Sequence, residues 1–315
     1  MSNRGFARVI GLTVVAMILF RCLTTDAVAQ SNPPITGHYP GGHVGIRGGA
    51  SPPPGGKNVN VFFRFQDAYA LKGDEGNTVQ DDSKLYFSNI WVFFWTTKKK
   101  ILGGNYGFLA AVPIVDTVQR PNGLIETTCL GLGDIALVPF LVATKKKTYD
   151  LQWGIGGFAP TGSFQPGSTD NHGNGFWNVL GSVGAVWYPG GNRRSWSLSG
   201  VMRIEFNGEQ EDTDIDVGDD VVLDWGVAKL LPVGKKKDQF LDVGVSGFAT
   251  AQFAAQTGPT PQDDAPKYRV FAAGPEVHWM IPKHKLSFLA RLQFEFGARN
   301  TIQSHNLWLA VGHIF

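Results

Sequence analysis

Residues 286–296 read LSFLARLQFEF, and this stretch decides which fold to expect. Every second residue in it is apolar, from Phe288 to Phe296. The residues between them are mostly polar: Ser287, Arg291, Gln293 and Glu295, with Leu289. Because successive side chains of a strand point to opposite faces, the segment has one apolar and one charged face. Residues 196–206 and 241–253 alternate in the same way. A soluble β-sandwich would also alternate, so the pattern predicts strands without specifying what surrounds them.

Similar segments recur from Asn58 to the C-terminus, with turn residues between them. We place twelve strands at about 58–70, 84–97, 105–117, 131–143, 148–159, 176–188, 195–206, 220–231, 239–253, 268–281, 286–298 and 305–315. Each is close to the roughly 9–11 residues that a tilted strand needs to cross a bilayer. The sequence therefore predicts an all-β fold: a transmembrane, antiparallel, up-and-down β-barrel of about twelve strands.

The composition agrees with this prediction. Charged residues make up 17% of the 315 residues, against roughly 25% in an average soluble domain. The 40 glycines and 12% aromatic residues suit strands and turns better than helices. The net charge of +2 gives no indication of a nucleic-acid partner.

Aromatic residues are spaced as membrane girdles would be. Trp177 and Trp187 are ten residues apart, and Trp196 and Phe206 repeat that spacing on the next strand. Ten residues of a strand tilted by about 45° rise roughly 24 Å, close to the ~25 Å apolar band of an outer-membrane barrel. Tryptophans can also fill a soluble core, but the repeated spacing favours the barrel.

The connections alternate in length and charge. One set is short and basic, at 98–100, 145–147, 191–194, 235–237 and 283–285. The other set is mostly longer and polar, at 71–83, 118–130, 160–175, 207–219 and 254–267, with a short last one near 299–304. Short turns on one rim and longer loops on the other are typical of these barrels, and they place both chain ends on the periplasmic side.

The N-terminus resembles an export signal. Arg4 and Arg8 precede an apolar run over residues 9–20, and small residues follow at 27–29. Twelve apolar residues are too few to span about 30 Å, so we predict a secretory signal over residues 1–29 rather than an anchor. Residues 30–57 form a Pro/Gly-rich arm that we expect to plug or gate the lumen from the periplasm. The barrel would then occupy residues 58–315 of an outer-membrane protein.

The last residue, Phe315, ends an alternating segment, and His313 is a mild departure from its pattern. A terminal aromatic of this kind resembles the insertion signal of bacterial outer-membrane proteins. We therefore expect the barrel-insertion machinery, outer-membrane lipid and lipopolysaccharide as partners.

Several motifs resemble the outer-membrane transporter family named for the meta-pathway of phenol degradation. They are GHYPG at 37–41, GLGD at 131–134 leading to PF at 139–140, PTGSF at 160–164, GFWN at 175–178, TD at 213–214 with GDD at 218–220, and GPEV at 274–277. Their order and spacing cover about 37–315, with Ile215 and Val217 as departures. The resemblance implies passive uptake of small hydrophobic or aromatic compounds through the barrel.

Charged residues within the strands must face the lumen, because Arg or Lys facing lipid at mid-depth costs about 2–4 kcal/mol. These inward residues are Arg64, Asp134, Arg203, Glu205, Asp224, Asp242, Glu276, His278, Arg291 and Glu295. They could pair across a narrow lumen and stabilise the wall, or they could line a substrate path. Twelve strands enclose less space than the 16–18 strands of water-filled porins.

Prolines interrupt three predicted strands, at Pro113, Pro139 and Pro275. Proline removes a ladder hydrogen bond and often marks a bulge. Such a bulge can be harmless. We also consider the hypothesis that Pro113 or Pro139 opens the wall and lets an apolar solute leave sideways into the membrane.

No motif indicates a metal, a cofactor or catalysis. Residues 212–216 read DTDID, but Val217 and Leu223 replace the Gly and Glu that a calcium loop needs. The chain lacks a G-x-S-x-G elbow, an H-E-x-x-H helix and a phosphate loop. We therefore expect no catalytic residue, metal or cofactor, and a non-enzymatic protein. Two alternatives stay open: a structural or adhesion barrel without transport, and a lipid hydrolase within a barrel.

Overall fold

The computed structural model describes residues 35–119, 126–127, 130–168, 170–260 and 263–315. The predicted signal over 1–29 and the first residues of the arm, 30–34, lie outside the described residues. The described residues contain no helix long and apolar enough to cross a membrane.

Twelve long strands form the wall. They are β1 (Lys57–Lys72), β2 (Thr78–Ile101), β3 (Gly104–Gln119), β4 (Ile135–Lys145), β5 (Tyr149–Ala159), β6 (Asn178–Trp187), β7 (Trp196–Asn207), β8 (Asp220–Val233), β9 (Gln239–Gln252), β10 (Arg269–Ile281), β11 (Leu286–Arg299) and β12 (Thr301–Ile314). Each strand pairs antiparallel with the next, and β1 pairs with β12 from Asn58↔Ile314 to Lys72↔Thr301. The sheet is thus a closed, up-and-down barrel of twelve strands, which confirms the predicted fold.

Several strands extend beyond their predicted bounds. β2 begins at Thr78 and ends at Ile101, so the 98–100 lysines lie in the strand and the turn is formed by residues 102–103. β12 begins at Thr301, which leaves Asn300, with φ of 51°, between it and β11. By contrast, β4 begins at Ile135, and Gly131–Leu132, where the predicted strand starts, is a separate two-residue strand that pairs with β3. The hydrogen bonds between strands continue beyond the apolar band of the wall. Apolar and polar residues no longer alternate there, so the alternation pattern underestimates the length of the strands.

The two faces of the wall differ as a membrane barrel requires. On β11, Phe288 is 38% exposed and Phe296 54%, whereas Arg291 and Glu295 are 2% and 6% exposed. The four predicted girdle residues are also on the outside, each between 49% and 67% exposed: Trp177, Trp187, Trp196 and Phe206. Val179 lies opposite Phe206 and Trp187 lies opposite Leu198 on the facing strand, so the rings occupy two levels.

The connections define two rims. The short-turn rim consists of residues 102–103, 146–148, 188–195, 234–238 and 282–285. The long-loop rim includes the described residues of 160–177, 208–219 and 253–268. Both ends of the barrel sheet meet at the short-turn rim, where the Phe315 N–H donates to the Lys57 carbonyl over 2.8 Å.

The arm, residues 35–56, lies inside the barrel without forming a strand. At the long-loop rim the Ile35 N–H donates to Gln256 Oε1 over 3.0 Å. At the short-turn rim the Gly55 N–H donates to the Thr96 carbonyl over 2.7 Å. The arm therefore runs through the lumen from one rim to the other. Its described N-terminal end, Ile35, lies at the long-loop rim, so the prediction that both chain ends lie at the short-turn rim holds for the barrel strands and is wrong for the arm.

Candidate functional site

A row of inward carboxylates binds the arm, beginning with Glu205 on β7. Its two oxygens accept the backbone N–H groups of His38 and Tyr39 over 2.8 and 3.0 Å. Glu205 is fully buried. Because each of the two oxygens accepts its own backbone N–H, Glu205 fixes the outer part of the arm.

Asp224 on β8 continues the row. It accepts the Tyr39 hydroxyl and the Gly42 N–H, both over 2.7 Å. Arg203 donates to the same carboxylate over 3.0 Å, and its guanidinium lies 4.0 Å from the centroid of the Tyr39 ring. Tyr39 is thus held by a hydrogen bond at its hydroxyl and by a cation at its face.

Glu276 on β10 and Arg291 on β11 form a buried ion pair in the middle of the barrel. Arg291 Nε and Nη2 donate to the two Glu276 oxygens over 2.8 and 3.1 Å. Both partners also bind the arm: Glu276 accepts the Ile46 N–H over 3.1 Å, and Arg291 donates to the Gly42 carbonyl. The arm therefore completes the hydrogen bonding of a pair that would otherwise need water.

A second ionic cluster holds the arm at the short-turn rim. Arg47 of the arm pairs with Asp242 on β9, and Nη1 of Arg47 donates to the Arg193 carbonyl over 3.2 Å. Arg193 pairs with Asp150, which also accepts the Tyr188 hydroxyl over 2.9 Å. Burial and the adjacent Asp150 carboxylate raise the pKa of Tyr188 to about 12, so its hydroxyl remains a donor.

At the long-loop rim the arm is fixed through His38. His38 Nε2 lies 3.0 Å from Asp134 Oδ2, and the His38 ring stacks on Phe158 at a centroid distance of 5.0 Å. Asp134 also accepts the N–H groups of Gly162 and Asn174, over 3.0 and 2.7 Å. One carboxylate thus joins the arm to the 160–177 loop.

The structure places the ten predicted inward residues in two groups. Glu205, Asp224, Asp242, Glu276, Asp134, Arg203 and Arg291 contact the arm. Arg64, His278 and Glu295 line the space beside it. Arg64 Nε donates to Asn306 Oδ1 over 3.0 Å, and Glu295 accepts the Ser304 N–H over 2.7 Å. The charges therefore both pair with one another and anchor the arm, and a substrate path through them stays a prediction.

An apolar chamber, which sequence reasoning missed, occupies the other half of the lumen. It belongs to a cavity of about 1070 Å³. Its apolar wall comes from strands β2 to β6 and consists of Ile90, Val92, Phe94, Leu109, Ala111, Ala136, Val138, Phe158 and Leu180. The signal was present in residues 90–95, which read IWVFFW. A run without alternation indicates a strand that is apolar on both faces, as in buried sheets.

The three prolines have different effects on the wall beside this chamber. At Pro139 the register of β4 shifts against both neighbours, between Leu137 and Phe140 on the β5 side and between Gly107 and Leu109 of β3. The β3–β4 ladder stops at Ala111↔Ala136, and β3 pairs again with the chain before β4 at Ile114↔Leu132. Between these two stretches the Pro113 carbonyl accepts the Gly133 N–H over 2.9 Å.

At Pro275, β10 keeps the same register on β11 before and after the proline. The wall is thus irregular between β3 and β5 and regular at Pro275.

The acidic 207–220 loop contains a short two-stranded ladder in which Glu209 faces Asp216. Within the described ranges, no group of three or more His, Cys, Asp or Glu side chains is arranged to hold a metal ion. Asp212 and Asp214 have left-handed backbones, with φ of 57° and 54°. Such positions are those of a tight turn.

The family described as "putative MetA-pathway of phenol degradation" matches residues 70–311. The chain belongs to this family. This confirms the resemblance seen in the motifs. A comparison with curated proteins finds no match.

Among solved structures, the COG4313 outer membrane channel of Pseudomonas putida F1 matches with a TM-score of 0.71 and 13% identity, over 84% of this chain and 96% of that one. The β domain of the Bordetella autotransporter BrkA matches with a TM-score of 0.47 and 9% identity, over 84% of this chain and all of that one. At 13% identity, the match to the Pseudomonas putida channel shows that the two chains share a fold.

Proposed function

We propose that this member of the phenol-degradation family is an outer-membrane channel for the passive uptake of small hydrophobic or aromatic compounds. The observation that carries the proposal is the apolar chamber inside a closed barrel. Ordinary barrel lumens are polar, whereas strands β2 to β6 present Phe94, Leu109 and Val138 to the inside. An apolar interior removes apolar solutes from water, worth roughly 25 cal/mol for each Å² buried.

The arm supports the same function, because it fills the polar half of the lumen. With Glu205, Asp224 and Glu276 all bonded to the arm, a polar solute finds few free groups there. The remaining cavity also reaches polar residues such as Thr250 and His278, but its apolar wall lies on β2 to β6, beside Pro113 and the bulge at Pro139. We therefore place the solute path in this half, with exit into the bilayer between β3 and β5.

The proposal includes the location and partners of the chain. Residues 1–29 direct export, the insertion machinery recognises the strand ending at Phe315, and lipid and lipopolysaccharide surround the outer face. No energy source is involved, so flux follows the solute gradient.

Uptake measurements in a Gram-negative host test this function. Cells with the wild-type protein should take up radiolabelled toluene several-fold faster than cells without it, because the lipopolysaccharide leaflet is a barrier to apolar solutes. Ala111→Phe fills the chamber from β3 and should remove most of this gain. Ala290→Phe adds the same ring on the exposed outer face of β11 and should leave uptake unchanged. Equal uptake with and without the wild-type protein contradicts the proposal.

One observation favours the lipid hydrolase as a second candidate. In the 160–177 loop, Ser163 Oγ lies 2.8 Å from His172 Nδ1, and Asp170 Oδ1 lies 3.8 Å from His172 Nε2. A hydrolase needs such a nucleophile and base. Phospholipid hydrolysis in detergent that Ser163→Ala abolishes would support this candidate, and no hydrolysis by the wild type would remove it.

A further inference from the structure

The apolar chamber has one polar end, formed by Arg64 on β1 and His43 of the arm. Both residues line the cavity. The Trp308 ring joins them: its centroid lies 5.3 Å from the Arg64 guanidinium carbon and 5.5 Å from the His43 ring. Trp308 itself packs in the apolar cluster with Ile90 and Val92. A polar corner thus adjoins an otherwise apolar wall.

Arg64 differs from the other guanidinium groups inside the barrel. Arg203 and Arg291 each have a carboxylate oxygen within 3.0 Å. In the part of the chain that the structure describes, Arg64 has no acidic oxygen within 4.0 Å, and its Nε donates to the neutral Asn306 Oδ1 over 3.0 Å. The far edge of this guanidinium is therefore available to an anion that enters the chamber.

Glu295 acts electrostatically on Arg64, but its oxygens are already engaged. They accept the Ser304 N–H over 2.7 Å and the Asn306 amide over 2.8 Å. This fixed negative charge lowers the affinity of the corner for dianions more than for monoanions. The corner therefore suits a single carboxylate better than a phosphate monoester.

His43 adds an unsatisfied polar group. It is 8% exposed, and its Nδ1 has no hydrogen-bond partner. Its ring lies 4.4 Å from Phe62, centroid to centroid. In its neutral form the imidazole has one N–H to donate.

We infer that the Arg64–His43 corner binds the carboxylate of a small amphipathic acid whose apolar body lies against Phe62, Ile90 and Val92. This inference rests on the proposed function, because it names the substrate class of the same chamber. A bound carboxylate provides the missing acceptor for Arg64. A cationic ligand of the same shape would be repelled by the positive charge of Arg64.

Three ligands of one shape test the inference: benzoate, toluene and benzylamine, titrated calorimetrically into the detergent-solubilised full chain. Wild-type protein should bind benzoate about tenfold more tightly than toluene, as expected for one charge-assisted hydrogen-bond pair. Arg64→Gln should lower benzoate affinity to the toluene level and leave toluene within about twofold. Arg64→Lys should restore part of the difference. Arg269→Gln, at the exposed end of β10, is the matched control and should change neither ligand.

The outcomes separate the two proposals. If toluene binds and benzoate binds no more tightly, or if Arg64→Gln leaves benzoate binding intact, the carboxylate site is wrong and the channel proposal stands. If benzylamine binds most tightly, the site is also wrong. If no ligand binds wild-type protein, the chamber is not a solute pocket and the proposed function fails with it. Heat-modifiable migration in gel electrophoresis shows whether the barrel of each variant has folded. If Arg64→Gln does not fold, His43→Phe serves as the second variant.

Discussion

Glu205 on β7 and Asp220 on β8 lie directly opposite each other, and the Cα of Gly37 lies against both carboxyl groups. A Cβ built on Gly37 would overlap an oxygen of each. The Gly37 N–H also donates to the Tyr268 hydroxyl over 3.4 Å. The arm therefore passes through a gap that admits no side chain at this position.

Gly37→Ala should weaken the docking of the arm. Overpacking a filled site typically costs about 1–3 kcal/mol, and here the added methyl meets two carboxylates. Single-channel recordings in planar bilayers should show either a higher open-state conductance or a higher open probability than the wild type. Gly181→Ala on β6, where an added Cβ meets no atom within 4 Å, is the control and should record as wild type. Unchanged conductance in Gly37→Ala would show that the arm does not limit ion flow.

Breaking the buried Glu276–Arg291 pair should destabilise the whole barrel. Arg291→Met leaves the Glu276 charge buried without its partner, and removing one member of such a pair typically costs about 3–5 kcal/mol. The double variant Arg291→Met with Glu276→Leu removes both charges and should recover much of this loss. Thermal unfolding in detergent, followed by far-UV circular dichroism, measures both. A double variant less stable than Arg291→Met would contradict this explanation.

Replacing Pro139 by Val should slow the uptake of an apolar solute. Valine restores a ladder donor and favours a regular strand where β4 now shifts register against both neighbours. A several-fold fall in toluene uptake, with normal insertion, is the expected result. Pro113→Val should act in the same direction, whereas Pro275→Val, where the register is regular, serves as the control. If all three variants match wild type, the lateral exit is wrong.

Local pattern was enough to predict the wall. The alternation around Arg291 and the spacing of Trp177 and Trp187 each describe a single strand. Because each strand of an up-and-down barrel pairs with its neighbour in the chain, knowing the single strands is enough to predict the sheet. The ends of β2 and β12 were harder to predict, because polar strand and polar loop look alike once they leave the membrane.

The lumen depends on contacts that no local pattern contains. Glu205 binds His38 from 167 residues away, and Arg291 donates to the Gly42 carbonyl across 249 residues. Which carboxylate meets which arm residue depends on the combined register of many strands. The inward position of these charges could be predicted from the cost of placing them in lipid, but their use as anchors for the arm could not.

The path of the arm constrains the order of assembly. The final strand joins the first one at Lys57, immediately beside the point where the arm enters the bore. The cylinder is thus wrapped around a segment of its own chain. If that seam closed before the segment was inside, the segment would have to be threaded through a finished tube, so we expect the arm to enter before the first and last strands join.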